Sequence, residues 1–554
     1  MSIEEQYQKV KAAVRNLGCR DSLDVIWAYA QFLQVDGFQM PGDIQVHRTF
    51  IDAPLPQAII AEFTLEQIAR EVIRHADIEP RRGRTLRQWD RLADVANCLR
   101  DLEGKIYAEF QLGKLFRLEL MRIAHRQFVW QQYRFSSEPI IRYFKLFNTP
   151  EIDAHIQTAT GLTLKDIYTI SLSYIEHFFE SPRISRVPDF KIPGLKQAHI
   201  EQFLEFTSLR RNDLAERLRA EHALDEGFAY RYSSLREFPL VRMSYRGQDE
   251  VACPIPTLLF WRVTIGLYYT LKDVPGFLNA FGSSFQRYAG EVLHARVTSV
   301  DRVVLAEQEY HVGKDHKHTV DWIVQQAEDA ALFIECKTKR LTWAAKAGIV
   351  DLTALQADLD ALAAAVTQVY KTIVDYRAGH YPQLPFARAR HVFPMVVTLE
   401  DWYIFGPDMP ARLDVSVRTK MAQAGLSEAW LEEMPYTILS MQELERTARY
   451  INEIDLPTLV LGRARHPEYS QWGFASYCDE VHGKNRPAQP DLFQEEYEAM
   501  SADLGAWLTP THSADVVAAR AVIVCRYRFA GKVRRRLLSM LFFQAGPLPA
   551  RPDA

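Results

Sequence analysis

The chain has 554 residues, a length that predicts more than one domain. Apolar residues make up 48% and charged residues 25%, as in folded proteins, and the net charge of −4 excludes a bulk basic field as the basis of nucleic-acid binding. Six cysteines without a CxxC pair argue against a zinc knuckle or a disulfide framework and, with an N-terminus that lacks a signal-peptide core, favour a reducing, cytoplasmic location.

The first half of the chain has the apolar spacing of amphipathic helices. Apolar residues recur at intervals of three and four in four segments: 64–77, 85–110, 164–180 and 199–224. The most hydrophobic run, 255–271, is shorter than a usual membrane span and carries Arg262 in its middle, so we interpret it as a buried helix and expect no membrane contact. We predict a helical domain over 1–270 that serves targeting, regulation or assembly.

Residues 271–405 change to an alternation of helices and strands. The pattern predicts a helix, three strand segments, a long helix and a further strand, over 276–297, 301–312, 319–324, 331–338, 352–379 and 391–404. The polar stretch HVGKDHKHTVD, which joins the first two strand segments and includes their ends, is interpreted as a loop. Its histidines, His311, His316 and His318, are then expected to be surface residues rather than metal ligands.

The pattern of apolar residues over 406–554 predicts a mixed α/β C-terminal extension. A helix near 413–425, a short strand at 436–440 and a helix at 441–453 are followed by an apolar run at 521–529. The tail 544–554 is expected to be disordered. The expected fold class is therefore α+β or α/β, with a helical N-terminal domain.

Three charged residues lie at the predicted strands, where an unpaired charge is costly. Glu335 and Lys337 are two apart in one strand and project to the same face. A short turn joins this strand to the one that carries Asp321, so a hairpin can bring Asp321 close to Glu335. Alternatively, Glu335 and Lys337 form an exposed pair on an edge strand, and Asp321 caps a turn.

Two adjacent carboxylates repel unless a positive charge lies between them. Mg²⁺, or Mn²⁺, is the natural candidate because it prefers oxygen ligands, here Asp321, Glu335 and the backbone carbonyl of Cys336. Such an ion stabilises charge on a phosphoryl oxygen, and Lys337 can orient or deprotonate the attacking water. The set suits hydrolysis of a phosphodiester.

The motif VD at 320–321 followed by ECK at 335–337, between two helices, resembles the PD-(D/E)xK nuclease superfamily over about residues 276–404. The resemblance implies a central mixed sheet flanked by helices, with Asp321, Glu335 and Lys337 as catalytic residues. It further implies an acid on the preceding helix, for which Glu291 is the candidate, and a glutamine on the following helix, matched by Gln368. Val320 stands where the namesake proline would be, a position that varies in the superfamily.

Basic residues near this motif are candidates for phosphate contacts. They are Lys339, Arg340, Lys346 and Lys371. Two further local patches, RRGRTLR at 81–87 and KVRRR at 532–536, are either phosphate contacts or solvated surface.

The resemblance implies a magnesium-dependent endonuclease that acts on DNA in a bacterial restriction or antiphage defence system. A non-catalytic nucleic-acid-binding scaffold in a defence complex and an RNA-cleaving enzyme of the same fold are the alternatives. The sequence has no phosphate-binding loop, so a required ATPase is expected to be a separate subunit. Oligomerisation stays open.

Overall fold

A computed structural model describes residues 1–35, 37–78, 85–132, 136–186, 195–348, 350–381, 391–484 and 490–505. The apolar run at 521–529, the tail 544–554, the basic patch 532–536 and Arg81, Arg82 and Arg84 lie outside the described residues. The chain divides into two compact units. Among the described residues, unit 1 comprises Met1–Phe116, Arg126–Phe277 and those from Phe493 onward, and unit 2 comprises Arg117–His125 and Leu278–Leu492.

The protein is a mixed α+β structure. The α-helices are, in chain order, α1 Ile3–Val14, α2 Cys19–Gln34, α3 Arg48–Ile51, α4 Glu62–His75, α5 Trp89–Glu109, α6 Phe116–Gln132, α7 Ser137–Phe147, α8 Pro150–Thr160, α9 Leu164–Glu180, α10 Gln197–Thr207, α11 Arg211–Ala220, α12 Ser234–Glu237, α13 Pro256–Val263, α14 Ile265–Leu271, α15 Phe277–Arg296, α16 Trp343–Ala347, α17 Thr353–Arg377, α18 Asp408–Gln423, α19 Trp430–Glu433, α20 Met441–Glu453, α21 Leu456–Ala464, α22 Phe474–Tyr477 and α23 Gln494–Gly505. Among the described residues, none of these helices is long and apolar enough to cross a membrane.

The strands of the described residues form sheets of four, five and two strands. They are β1 Arg183–Ser185, β2 Ser208–Arg210, β3 Leu240–Tyr245, β4 Gln248–Ala252, β5 Arg302–Ala306, β6 Glu309–Val312, β7 Asp315–His318, β8 Trp322–Gln326, β9 Ala330–Lys337, β10 His391–Thr398 and β11 Thr437–Ser440. Residues 437–440, from the predicted C-terminal extension, thus belong to the same sheet as the predicted core.

Unit 1 combines amphipathic helices with a small sheet of the order β1-β4-β3-β2. The prediction of one helix over 199–224 is wrong, because Ser208–Arg210 leaves the helical path and pairs in parallel with β3. The hydrophobic run 255–271 was predicted to be one buried helix. Its first part, α13, is buried, but the run divides into α13 and α14 at Thr264. Arg262 is accommodated there because its guanidinium donates to the Thr270 hydroxyl (2.7 Å) and to the Phe206 carbonyl (3.1 Å).

A polar network lies within the helices of unit 1. The Tyr7 hydroxyl lies 3.0 Å from Oε2 of Glu71 and 2.9 Å from Nε2 of His75. Nη1 of Arg74 donates to Glu71 (2.8 Å) and lies 3.0 Å from Nδ1 of His222. Burial lowers the pKa of His75 to about 4 and that of His222 to about 3, and the nearby arginine charge acts in the same direction. Both imidazoles are therefore neutral near pH 7.

Unit 2 is built on a mixed five-stranded sheet with the order β11-β10-β9-β8-β5. Strands β5, β8 and β9 form an antiparallel meander, and β9 continues through α17 to β10, which is parallel to it. The predicted order of helix, strands, long helix and strand is present as α15, β5, β8, β9, α17 and β10. The apolar residues of β9 and β10 are buried, as expected for central strands covered on both faces.

The stretch interpreted as a polar loop contains the strand β7, which forms a two-stranded hairpin with β6 from the predicted strand segment 301–312. Gly313 adopts a positive φ of 63° in its turn. On one face, the Tyr310 hydroxyl and the Lys317 ammonium both donate to Oδ2 of Asp375 on α17, at 2.8 and 2.7 Å. Polarity alone suggested a loop because the hairpin has only two apolar residues, Tyr310 and Val312, of which Tyr310 is buried and bonded to Asp375 on α17.

Candidate active site at the end of β8 and β9

The pairing of β8 with β9 determines where the predicted acids lie. Trp322 is paired with Ile334, so the register, continued by one residue, places Asp321 opposite Glu335. Oδ2 of Asp321 accepts a hydrogen bond from the backbone N–H of Cys336 at 2.6 Å. This contact fixes the Asp321 carboxylate across the two strands.

Glu335 and Lys337 project to one face of β9, as their spacing predicts. Nζ of Lys337 donates to Oε1 of Glu335 (2.6 Å) and lies 3.3 Å from Oε1 of Gln368 on α17. Because β9 is paired with both β8 and β10 and Glu335 is 5% exposed, the alternative of an exposed pair on an edge strand is wrong. The structure brings Asp321, Glu335, Lys337 and Gln368 together.

The two carboxylates lie in an environment that disfavours their ionised forms. Burial raises the pKa of Asp321 to about 7, and the negative charge of Glu335 adds to this effect. Burial also raises the pKa of Glu335, although the ammonium of Lys337 opposes the shift. A cation between these carboxylates would relieve both penalties.

A third acid, Glu307, lies in the same row of the sheet and was missed in the sequence. Ala306 is paired with Trp322, so the register sets Glu307 opposite Asp321, and the Glu307 N–H donates to the Asp321 carbonyl at 2.9 Å. Its negative charge contributes to the raised pKa of both Asp321 and Glu335. The signal was an acid directly after the apolar strand RVVLA, but the β5–β8 register was needed to interpret it.

Helix α15 lies against the strand that follows Asp321. The indole N–H of Trp322 donates to the Gln286 carbonyl at 2.8 Å. A Cβ on Gly290 would lie 1.9 Å from Cζ2 of Trp322, so the helix backbone directly contacts the ring. Glu291 follows this contact, and Nη1 of Arg287 donates to its Oε1. Its role as the helix-borne acid stays a prediction.

The basic residues assigned to phosphate contacts differ in their surroundings. Lys339 lies 3.0 Å from Oδ1 of Asp358. Arg340 and Lys346 are both largely buried and lie 3.3 and 3.0 Å from the Glu400 carboxylate. Lys371 is exposed on α17, three residues after Gln368 and therefore on the same side of the helix. The charges of the first three are compensated within the chain, and binding of nucleic acid by all four stays a prediction.

The donor set fits a hard divalent cation. Asp321 and Glu335 offer carboxylate oxygens, and the Cys336 carbonyl is the third expected ligand. The fit rests on two buried carboxylates that repel each other and are only partly compensated by Lys337. Glu307 adds a further oxygen donor at the same end of the strands.

Comparisons of the chain with models of known protein families, with curated proteins and with solved structures found no match.

Proposed function

We propose that the chain is a metal-dependent phosphodiester hydrolase of the PD-(D/E)xK type that cleaves DNA, and that it serves a bacterial restriction or antiphage system. The observation that carries the proposal is the convergence of Asp321, Glu335 and Lys337 at one end of a mixed sheet flanked by α15 and α17. The defence setting rests on the resemblance alone.

Asp321, Glu335 and the Cys336 carbonyl would hold Mg²⁺ or Mn²⁺, which supplies stabilisation of charge on a phosphoryl oxygen and makes water more acidic. The chain contributes the remaining parts. The Cys336 N–H holds the Asp321 carboxylate in orientation. The contacts of Lys337 with Glu335 and Gln368 hold its ammonium where it can orient the attacking water and stabilise negative charge in the transition state.

Substrate contacts are proposed on the exposed side of α17. Lys371 lies about one helical turn beyond Gln368, within reach of a phosphate next to the scissile one. A lysine in this position adds affinity and salt dependence without reading the base sequence.

The test is cleavage of supercoiled plasmid, linear DNA and RNA by the full-length chain in Mg²⁺, Mn²⁺ or EDTA. Glu335→Gln and Lys337→Met should each reduce cleavage roughly 100-fold or more, because each removes a group that contacts the reacting centre. Glu328→Gln, in the exposed turn between β8 and β9, is the matched control and should cut normally.

The outcomes separate the proposed function from its alternatives. Metal-dependent DNA cleavage that both variants abolish supports the proposal, and cleavage restricted to RNA replaces DNA with RNA as the substrate. Binding of nucleic acid without cleavage by the wild-type chain overturns the catalytic assignment in favour of a scaffold. Normal cutting by folded Glu335→Gln refutes the site.

A further inference from the structure

The hairpin β6–β7 has two chemically different faces. Its register pairs Glu309 with His318 and His311 with His316, so these four side chains share one face. The opposite face carries Tyr310 and Lys317, which hold the hairpin on α17. The histidine face is therefore not needed for attachment of the hairpin.

Ligand atoms on this face already lie close together. One side-chain nitrogen or oxygen from each of Glu309, His316 and His318 lies within 4.8 Å of the other two. Nε2 of His316 is 3.0 Å from Oε2 of Glu309, and the rings of His316 and His318 have centroids 5.3 Å apart. Two ligand atoms at about 2.0–2.1 Å from one tetrahedral ion are separated by about 3.3 Å, so small rotations of side chains suffice to close the set.

We propose that Glu309, His316 and His318 form a binding site for a borderline transition-metal ion, Zn²⁺ or a chemically similar ion such as Co²⁺. Imidazole nitrogens suit these ions, whereas the all-oxygen set at Asp321 and Glu335 suits Mg²⁺. Two histidines and one carboxylate leave a fourth position for water or for another side chain, and His311 is the neighbour whose ring is 5.1 Å from that of His316.

The surroundings contain an outer partner of the expected kind. Oε1 of Glu307 lies 3.4 Å from Nδ1 of His318. Histidines that bind metals usually have a carboxylate or carbonyl on the ring nitrogen away from the ion. None of the three proposed ligands is a proposed Mg²⁺ ligand, but Glu307 borders both sites, because its negative charge also acts on Asp321 and Glu335.

The experiment is calorimetric titration with Zn²⁺ of the full-length chain, freed of metal and of any affinity tag. The chain carries Asp321→Asn and Glu335→Gln, which remove the carboxylates of the candidate active site. His316→Ala and Glu309→Gln should each weaken binding at one Zn²⁺ site roughly 10–100-fold or more, because even loss of an outer partner has an effect of this size. The absorption spectrum of added Co²⁺ should show histidine and carboxylate ligation and should change in the same variants.

Asp315→Asn is the matched control. It removes a carboxylate from the same hairpin, but strand alternation places Asp315 on the opposite face from His316 and His318, so Zn²⁺ binding should not change. Circular dichroism checks that the exposed substitutions leave the fold intact. Absence of Zn²⁺ binding, or affinity that both ligand variants leave unchanged, overturns the proposal. Equal weakening by Asp315→Asn also overturns it, because binding would then follow the charge of the hairpin rather than its ligands.

Discussion

Gly290→Ala is expected to leave unit 2 less stable than the same substitution at Gly282 of α15, because α15 directly contacts Trp322 at Gly290. The new Cβ would lie 1.9 Å from Cζ2 and 2.3 Å from Cη2 of the ring, far inside van der Waals contact. The ring cannot move aside freely. Its N–H is bonded to the Gln286 carbonyl, and the backbone of Trp322 is paired with Ala306 and Ile334. The helix, the strand or both must shift.

The magnitude follows from comparison with Gly282→Ala in the same helix, where a Cβ meets nothing within 4 Å. Alanine at an interior helix position is favoured over glycine by about 0.8–1.0 kcal/mol, and this gain is common to both variants. Their difference in unfolding free energy therefore reports the steric overlap alone, which for overpacking is about 1–3 kcal/mol. Gly282→Ala should be more stable than the wild type, and Gly290→Ala should be less stable than Gly282→Ala by this amount.

Urea unfolding followed by circular dichroism measures this difference, and thermal melting provides a second readout. For a unit of this size, 1 kcal/mol corresponds to about 2–4 °C in Tm. Adding Trp322→Phe to each glycine variant should reduce the difference between them, since the smaller ring leaves room for the methyl group. If Gly290→Ala is as stable as Gly282→Ala, the close packing of α15 on β8 is refuted.

Two further predictions concern pH. Because the pKa of Asp321 is about 7, the cleavage rate at limiting Mg²⁺ should increase as the pH rises from about 6 to about 8. Saturating Mg²⁺ should move the midpoint of this pH–rate profile to lower pH, because the ion competes with protons for the carboxylate. Superimposable pH–rate profiles at both Mg²⁺ concentrations would contradict this reasoning. His75 and His222 have folded-state pKa values of about 4 and about 3, below the ordinary 6.5, so the folded state binds fewer protons than the unfolded state between these values. The unfolding free energy should consequently fall by about 1 kcal/mol for each histidine between about pH 7 and about pH 5, after allowance for solvent screening of half-buried groups. Melting curves of the double variant His75→Gln/His222→Gln should show a shallower pH dependence, and curves parallel to those of the wild type would exclude these residues as the cause.

The sequence predicted the part of the site that depends on local rules. Strand alternation alone places Glu335 and Lys337 on one face, and the short turn allows Asp321 to reach Cys336. The apolar residues on either side of these charged residues predict buried strands, because short continuous apolar runs are typical of strands inside a sheet. Gln368 was predicted as a site residue only through the resemblance to the PD-(D/E)xK superfamily, and its contact with Lys337 depends on the packing of α17.

The sequence did not predict features that depend on contacts between residues far apart in the chain. Ser208–Arg210 has the periodicity of a continuing helix, but pairing with β3 outweighs it. Glu307 could not be assigned to the site without the β5–β8 register. The β6–β7 hairpin carries polar residues on both faces, and the contacts of Tyr310 and Lys317 that attach it are with Asp375, more than 50 residues further along the chain.

The central position of β9 has a consequence for the motions of the site. Amide hydrogens of a strand that is paired on both sides exchange with solvent only when the surrounding sheet opens, whereas peripheral elements exchange through small local fluctuations. Glu335 and Lys337 are therefore carried by a strand that belongs to the slowly exchanging part of unit 2. The β6–β7 hairpin, which pairs with no other strand among the described residues, can fluctuate separately. A ligand held by the hairpin would then reduce the motion of the hairpin itself, whereas the positions of Asp321, Glu335 and Glu307 depend on the cooperative stability of the whole sheet.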